Sequence, residues 1–204
     1  MNFAEAHEYI DVLLDKHDLP WFETEEKDIF LNMSQQEFVN TRYKEFEINE
    51  KRREDIRTLI TTSTGTGASV AVPADMLYVL SLKGTFAIEE CGQTIQRELH
   101  IRPMQHDDIN KILNDPFNSP TNSDPSYVTE ASSFSIKSTD APSAWELVYL
   151  KAPDTVDATN NPTGTFSTPE YTHVEIVNLA VRKMMMSIEQ DNYQLQMNEI
   201  ENQE

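Results

Sequence analysis

The first sixty residues carry apolar side chains at helical spacing. In residues 3–18, apolar positions recur three and four residues apart, which predicts a helix with one buried stripe. That stripe consists of Ala6, Tyr9, Ile10, Leu13 and Leu14. Leu19-Pro20 is expected to end this helix, because proline disfavours helical backbone angles in the residue before it.

Two further helices are predicted before residue 47. The first spans residues 24–32 and places its apolar contacts at Ile29, Phe30 and Met33. Ser34-Gln35-Gln36-Glu37 matches a capping box, in which the serine and the glutamate cap each other's backbone, and so predicts the start of a separate helix. The residues expected to define that second helix are Phe38, Val39, Arg42, Tyr43 and Phe46.

Beyond that point the pattern changes from helical to extended. Asn49 is expected to cap one more helix that runs through Ile56 and Leu59 to Ile60, and the composition of residues 61–67 predicts a loop. Short runs of β-branched and alternating apolar residues then predict strands. The predicted strands are residues 68–72, 76–88, 94–101, 134–137 and 145–150. Residues 106–114 are predicted as a short helix that Asp115-Pro116 ends.

The last forty residues predict a long helix. Pro169 precedes it, and Thr172-His173-Val174-Glu175 matches a second capping box. Its expected buried stripe is Val177, Ala180, Val181, Met184, Ile188 and Leu195. Residues 118–125 and 153–168 are rich in Asn, Pro, Ser, Thr and Asp, which predicts two long loops.

This order of elements predicts an α+β fold, because helices lie at both ends of the chain and strands in the middle. The N- and C-terminal helices are expected to form a bundle with an inserted β-rich, sandwich-like domain. The expected boundaries are residues 1–62 plus 165–204 for the helical domain and residues 63–164 for the β-rich domain with its long loops.

The charge of the chain narrows the possible partners. A formal net charge of −19 argues against a groove that grips nucleic acid, because such a grip depends on Lys and Arg displacing counterions from phosphates. The single cysteine, Cys91, excludes an intrachain disulfide. Neither a signal-peptide pattern at the start nor an apolar run near the roughly 20 residues of a membrane span is found, so no membrane association is expected.

Few residues suggest catalysis or metal binding. The five histidines show no His-x-x-x-His spacing, and no Cys-x-x-Cys occurs. His106-Asp107-Asp108 is compatible with a metal site but more typical of a helix start, where acidic residues complement the helix dipole. Cys91, next to Glu90 in a predicted hairpin turn, is interpreted as a structural residue rather than a nucleophile. We therefore predict a non-enzymatic protein with no catalytic, cofactor-binding or metal-binding residues.

Three other segments have a structural and a functional interpretation. Thr64-Gly65-Thr66-Gly67 lacks the Gly-Lys-Ser/Thr of a phosphate-binding loop and is read as a linker. Residues 42–57 mix basic and acidic side chains, which predicts a salt-bridged solvent-facing surface first and a subunit interface second. Met184, Met185 and Met186 face different sides of a helix, so at least one is expected to point away from the core and toward a partner.

The order of several packing and turn motifs resembles a known class of proteins. The motifs are residues 46–56 (FEINEKRREDI) with Leu59, 72–80 (VPADMLYVL), 101–109 (IRPMQHDDI), 114–120 (NDPFNSP), 147–153 (LVYLKAP) and 175–181 (EIVNLAV). In this order the chain resembles head-to-tail connector or ring proteins of tailed bacteriophages, in particular crAss-like phages. It is similar, more loosely, to the tail tubular protein A type of adaptor.

The resemblance implies a virion protein that is assembled in the host bacterial cytoplasm. It implies a cyclic, dodecameric ring of identical subunits that contacts the portal protein and neighbouring tail or ring proteins, with genomic DNA passing through without specific binding. Two alternatives remain open. One is a metal-dependent hydrolase, which requires converging histidines and carboxylates, and the other is a receptor-binding or tail-end component, which would form trimers.

Overall fold

The fold has a helical unit and a β-rich unit. The structure is a computed structural model that describes residues 1–14, 22–46 and 50–201, with side chains up to residue 188. Met1–Leu59 and Pro153–Glu204 form the helical unit, and Ile60–Ala152 form the β-rich unit. The predicted α+β fold class is confirmed, since the described residues contain both α-helices and two four-stranded sheets.

The boundaries between the two units differ from the predicted ones. Residues 60–62 begin a strand instead of ending the helical unit, and residues 153–164 group with the helices. The second difference has a clear cause. The segment after Pro153 is a loop by backbone conformation, but Val156, Ala158 and Phe166 are buried in it. Apolar burial therefore assigns this loop to the helical unit, whereas its polar composition had suggested an exposed part of the β-rich domain.

Helix α1 (Phe3–Leu13) begins at a reciprocal cap. The Glu5 amide donates to the Asn2 side chain at 2.8 Å, and the Asn2 amide donates to the Glu5 carboxylate at 2.9 Å. The buried face is Phe3, Ala6, His7 and Ile10, so the prediction is correct for Ala6 and Ile10 and wrong for Leu13, which is exposed. The predicted extension beyond residue 14 and the stop at Leu19-Pro20 fall outside the described residues.

Helix α2 (Thr24–Lys44) is one continuous helix, so the predicted break at Ser34 is wrong. Ser34 is fully buried within the helix, and the span contains no Gly or Pro that would interrupt it. The predicted buried face is wrong for the first part of α2, because Ile29 and Met33 are more than half exposed, but correct for Phe38 and Val39 further along. The face that packs inward carries Leu31, Phe38 and Val39 together with five polar or charged residues, Lys27, Asp28, Ser34, Gln35 and Arg42.

The remaining helices complete the helical unit. Helix α3 (Glu50–Asp55) is followed by a 3₁₀ turn at Arg57–Leu59, and Ile60 already belongs to a strand. The predicted cap Asn49 is outside the described residues. Helix α5 (His173–Glu201) packs against α1 and α2, as the predicted bundle requires. Its buried apolar side chains are Ile176, Val177, Ala180, Val181 and Met184, while Ile188 is half-buried and the Leu195 side chain is not described.

The predicted second capping box is replaced by other contacts. A 3₁₀ turn at Glu170–Thr172 precedes α5. The Thr172 hydroxyl donates to the Pro169 carbonyl at 2.7 Å, and the Glu175 carboxylate accepts from Arg42 instead of turning back toward Thr172. The sequence pattern identified the helix start correctly but not the partners of its side chains.

The β-rich unit contains two sheets of four strands. The strands are β1 (Ile60–Gly65), β2 (Ser69–Ala71), β3 (Met76–Glu90), β4 (Gln93–His100), β5 (Arg102–Pro103), β6 (Ser126–Thr129), β7 (Ser133–Lys137) and β8 (Ala144–Lys151). The first sheet has the order β1-β8-β3-β4 with every pair antiparallel, and the second has the order β2-β7-β6-β5. The predicted strands correspond to β2, β3, β4, β7 and β8, whereas β1, β5 and β6 were missed.

The loop predicted for residues 61–67 is wrong over most of its length. Residues 60–65 pair one to one with β8, from Ile60 opposite Leu150 to Gly65 opposite Trp145. Threonine and serine are common both in loops and in strands, and the pairing with β8 decides between the two. Helix α4 (Ile109–Leu113), preceded by a 3₁₀ turn at His106–Asp108, agrees with the predicted short helix.

One apolar core lies between the two sheets. It consists of Val70, Leu82, Phe86, Ile101, Tyr127, Phe134, Ile136, Trp145, Leu147 and Tyr149, which come from both sheets. Alternate residues of β8 contribute to it, because side chains along a strand point to opposite faces. The unit is thus a β-sandwich, as the sequence predicted.

Candidate interaction surfaces

The residues considered for metal binding or catalysis are scattered. His7 and His173 are buried in the helical unit, His106 starts the exposed 3₁₀ turn before α4, and His17 is outside the described residues. Within the described ranges, no group of three or more His, Cys, Asp or Glu side chains is arranged to hold a metal ion. The His106-Asp107-Asp108 motif accordingly opens a helical segment, as its alternative interpretation proposed.

Cys91 lies in the two-residue turn of the β3–β4 hairpin. Cys91 has φ 52° and Gly92 has φ 79°, a pair of positive angles that matches the twist of a tight hairpin. The thiol is exposed, and the neighbouring Glu90 forms an ion pair with Arg97 at 2.7 Å. This confirms the predicted hairpin turn.

The segment Thr64-Gly65-Thr66-Gly67 begins at the end of strand β1, where Gly65 contacts the indole ring of Trp145. Gly65 pairs with Trp145 across the β1–β8 ladder, and a Cβ atom at Gly65 would overlap the indole ring. Glycine is therefore required there for close packing. The Trp145 ring belongs to the core of the sandwich, so this segment shapes the core edge and does not form a phosphate loop.

The basic segment at residues 42–57 is only partly a solvent-facing surface. Arg42 is 6% exposed, and its Nε atom lies 2.8 Å from Asp55 while its Nη2 atom lies 2.6 Å from Glu175. The guanidinium also stacks on the Phe38 ring at 4.5 Å. The prediction is wrong for Arg42, whereas Arg57 is well exposed, as predicted. The buried arginine connects three helices, α2, α3 and α5.

The polar face of α2 holds the loop after Pro153 by its backbone. Asn32 accepts from the Val156 amide at 2.8 Å and donates to the Val156 carbonyl at 3.0 Å. Gln35 donates to the Asp154 carbonyl at 2.9 Å, and Asp28 accepts from the Ala158 amide at 2.9 Å. These side chains replace the backbone partners that a strand would have, which explains how a loop stays ordered while partly buried.

Two buried histidines have lowered pKa values. The pKa of His7 is lowered, because burial disfavours its charged form. Asp28, whose carboxylate lies 2.9 Å away, raises the pKa by less than burial lowers it. Burial also lowers the pKa of His173, which lies 2.9 Å from the Thr168 carbonyl and 5.0 Å from the Phe166 ring centroid. Both side chains serve packing and hydrogen bonding in the helical unit, and both favour the neutral form.

Several large apolar side chains are exposed on the helices. On α2, Ile29 and Met33 lie one turn apart and are 58% and 52% exposed. On α5, Met184 is fully buried while Met185 and Met186 are exposed, as the sequence predicted for at least one of the three. These exposed methionine and isoleucine side chains are free to contact other protein chains.

A shallow cleft of about 380 Å³ lies on the polar side of the first sheet. Its lining includes Thr64, Lys83, Thr85, Glu98 and Glu146. Lys83 pairs with Glu98 at 3.0 Å, and this hydrogen bond raises the pKa of Lys83. A charged, paired lysine is a poor general base or nucleophile.

The negative charge is uneven along the chain. Most of the excess of Asp and Glu over Lys and Arg belongs to the helical unit.

In the part of the chain that the structure describes, no helix is both long and apolar enough to cross a membrane. The chain matches no described protein family, and no curated protein sequence matches it significantly.

Proposed function

We propose that this protein is a structural ring subunit at the head-to-tail junction of a bacteriophage particle. The observation that carries the proposal is the contrast between its interior and its surface. The buried ionisable groups His7, Arg42 and His173 all have partners inside the helical unit. Large apolar side chains such as Met33 and Met186 are instead exposed on helices. Function then resides in surfaces offered to other chains.

The acidic charge supports a role as a conduit. Duplex DNA is a dense line of phosphates, so a wall rich in Asp and Glu repels it and offers no counterion release. The excess of carboxylates in the helical unit makes that unit the better candidate for the wall that faces DNA. DNA would pass such a ring without being held by it.

A ring also needs two different surfaces on each subunit. Cyclic assemblies with more than two members are built from head-to-tail contacts, in which one patch meets a different patch of the next copy. The chain offers the exposed apolar positions of α2 and α5 as well as the long polar loop between α4 and β6 of the β-rich unit. The portal protein and the adjacent tail or ring proteins would contact the faces above and below the ring.

Electron microscopy of the purified protein in negative stain tests this proposal. Annular particles of uniform diameter are expected. A strictly monomeric protein would contradict it.

The two alternatives give different results in simple assays. A metal-dependent hydrolase would bind a metal that is lost when His106, Asp107 and Asp108 are replaced by alanine. A receptor-binding component would sediment as a trimer. Metal analysis and sedimentation of the same preparation therefore separate all three functions.

A further inference from the structure

The first sheet of the sandwich has two long outer strands. Strand β1 has six residues and strand β4 has eight, and each pairs with a neighbour on one side only within the described chain. The second sheet is different, because its outer strands β2 and β5 have three and two residues. Short edges and prolines such as Pro103 are usual protections against unwanted strand pairing, and β1 and β4 lack both.

Strand β1 is also uncharged along its whole length. Its sequence, Ile-Thr-Thr-Ser-Thr-Gly, contains strand-forming residues and no Lys, Glu or Asp that would discourage pairing. The charges on β4 are already paired within the sheet, Arg97 with Glu90 at 2.7 Å and Glu98 with Lys83 at 3.0 Å. Neither edge therefore carries an unpaired Lys, Arg, Asp or Glu side chain that would oppose pairing with an additional strand.

The direction of the strands selects the partner. All neighbours in the order β1-β8-β3-β4 are antiparallel, so β1 and β4 run in opposite directions. If a second copy is placed beside the first in the same orientation, its β1 lies antiparallel to β4 of the first. The alternation of strand directions then continues across the boundary, as does the division into a core face and a polar face.

We infer that β4 of one subunit pairs with β1 of the next, so that the first sheet continues from subunit to subunit. This inference rests on the proposed function, because it supplies the head-to-tail contact that a ring requires. A β4–β4 pair centred on Arg97 or on Glu98 would place like charges directly opposite each other, which is destabilising. The uncharged β1 presents no such conflict to β4.

Cysteine cross-linking tests the contact. The exposed native thiol is first removed with Cys91→Ser. Three double variants are then made, each carrying Thr62→Cys on β1 and one cysteine on β4 in the same chain. The β4 substitutions are Thr94→Cys, Gln96→Cys and Glu98→Cys, at positions on the same polar face of the sheet as Thr62. Directly opposite residues of paired strands have Cβ atoms roughly 4.5–5.5 Å apart. Two cysteines at such positions can therefore be oxidised to a disulfide with little movement of the backbone.

The expected result is a ladder of covalent multimers from at least one of the three double-cysteine chains. The Thr62→Cys chain alone, and a control with Thr62→Cys and Ser132→Cys in the β6–β7 turn, should give no ladder. Covalent dimers from Thr62→Cys alone would overturn the inference in favour of β1 pairing with itself. Rings in the microscope without any ladder would overturn the inference and leave the proposed function standing, whereas a monomer by light scattering would overturn both.

Discussion

Arg42 lies 2.6 Å from Glu175, a residue 133 positions further along the chain. This contact joins α2 to α5, and the Nε atom of the same guanidinium reaches Asp55, the last residue of α3. The two carboxylates differ in exposure, because the Asp55 side chain is 6% exposed and the Glu175 side chain 51%. The arginine therefore pairs with a buried carboxylate on one side and a half-exposed carboxylate on the other.

Arg42→Met should strongly destabilise the helical unit. The substitution leaves the buried Asp55 without its main cation, and breaking a buried ion pair from one side costs about 3–5 kcal/mol. Chemical denaturation followed by circular dichroism measures the loss. Arg57→Met is the matched control, since Arg57 and Glu54 are both well exposed and their pair contributes at most about 1 kcal/mol. Equal effects of the two substitutions would contradict the assigned role of Arg42.

Gly65→Ala should destabilise the β-sandwich through a clash with Trp145. The added methyl group enters space that the indole ring occupies, and overpacking of this kind costs about 1–3 kcal/mol. Circular dichroism during denaturation reports the change and, unlike tryptophan fluorescence, remains usable when Trp145 is replaced. Trp145→Leu is itself destabilising, but in that background the further cost of Gly65→Ala should shrink. An unchanged cost in the double variant would show that the ring is not what excludes a side chain at position 65.

Asn32→Ala should release the loop that begins at Pro153. Both hydrogen bonds between Asn32 and the Val156 backbone are lost, and each unsatisfied buried group costs about 1–3 kcal/mol. Amide hydrogen exchange of Val156 and Ala158 should be faster in the variant than in the original protein, whereas exchange in the α5 core should change much less. Gln36→Ala, on the exposed side of the same helix, is the control and should leave those rates unchanged. If both variants exchange alike, the loop is ordered by other contacts.

The buried histidines predict a dependence of stability on pH. The folded pKa values of His7 and His173 lie below the ordinary value of 6.5, so the unfolded chain binds protons more readily than the folded one. Their stabilising effect is complete above the unfolded pKa and is lost as the pH falls through the lower folded pKa. Denaturation between about pH 7.5 and pH 5 should show a smaller slope of unfolding free energy against pH for His7→Gln than for the original protein. An identical slope would exclude His7 as a source of the dependence.

The alternation of apolar residues made much of the sandwich predictable. Strands such as β3 and β4 were identified because their side chains alternate between a core and a polar face. Strand β1 was missed because Thr, Ser and Gly are as typical of loops, and only its pairing with β8 distinguishes the two. The position of β1 and β4 at the edges of the sheet could not be predicted from the sequence either, because it depends on which distant strands pair.

The inward face of α2 was predicted only in part, for a different reason. Its inward side chains include Lys27, Asp28, Gln35 and Arg42, so hydrophobic periodicity identifies the wrong side of the first part of the helix. Each polar residue is accommodated by a partner far away in sequence, such as His7 for Asp28. A pattern of local hydrophobicity carries no information on such partners, and the exposed Ile29 and Met33 were therefore assigned to the core.

The proposal that this protein forms a ring is tested most directly by the number of subunits in its assembly. Native mass spectrometry of the purified, full-length protein measures this without any assumption about particle shape. A single closed oligomer is expected, with the dodecamer as the predicted species. A monomer, or a trimer, would contradict the assignment of this chain to the head-to-tail ring.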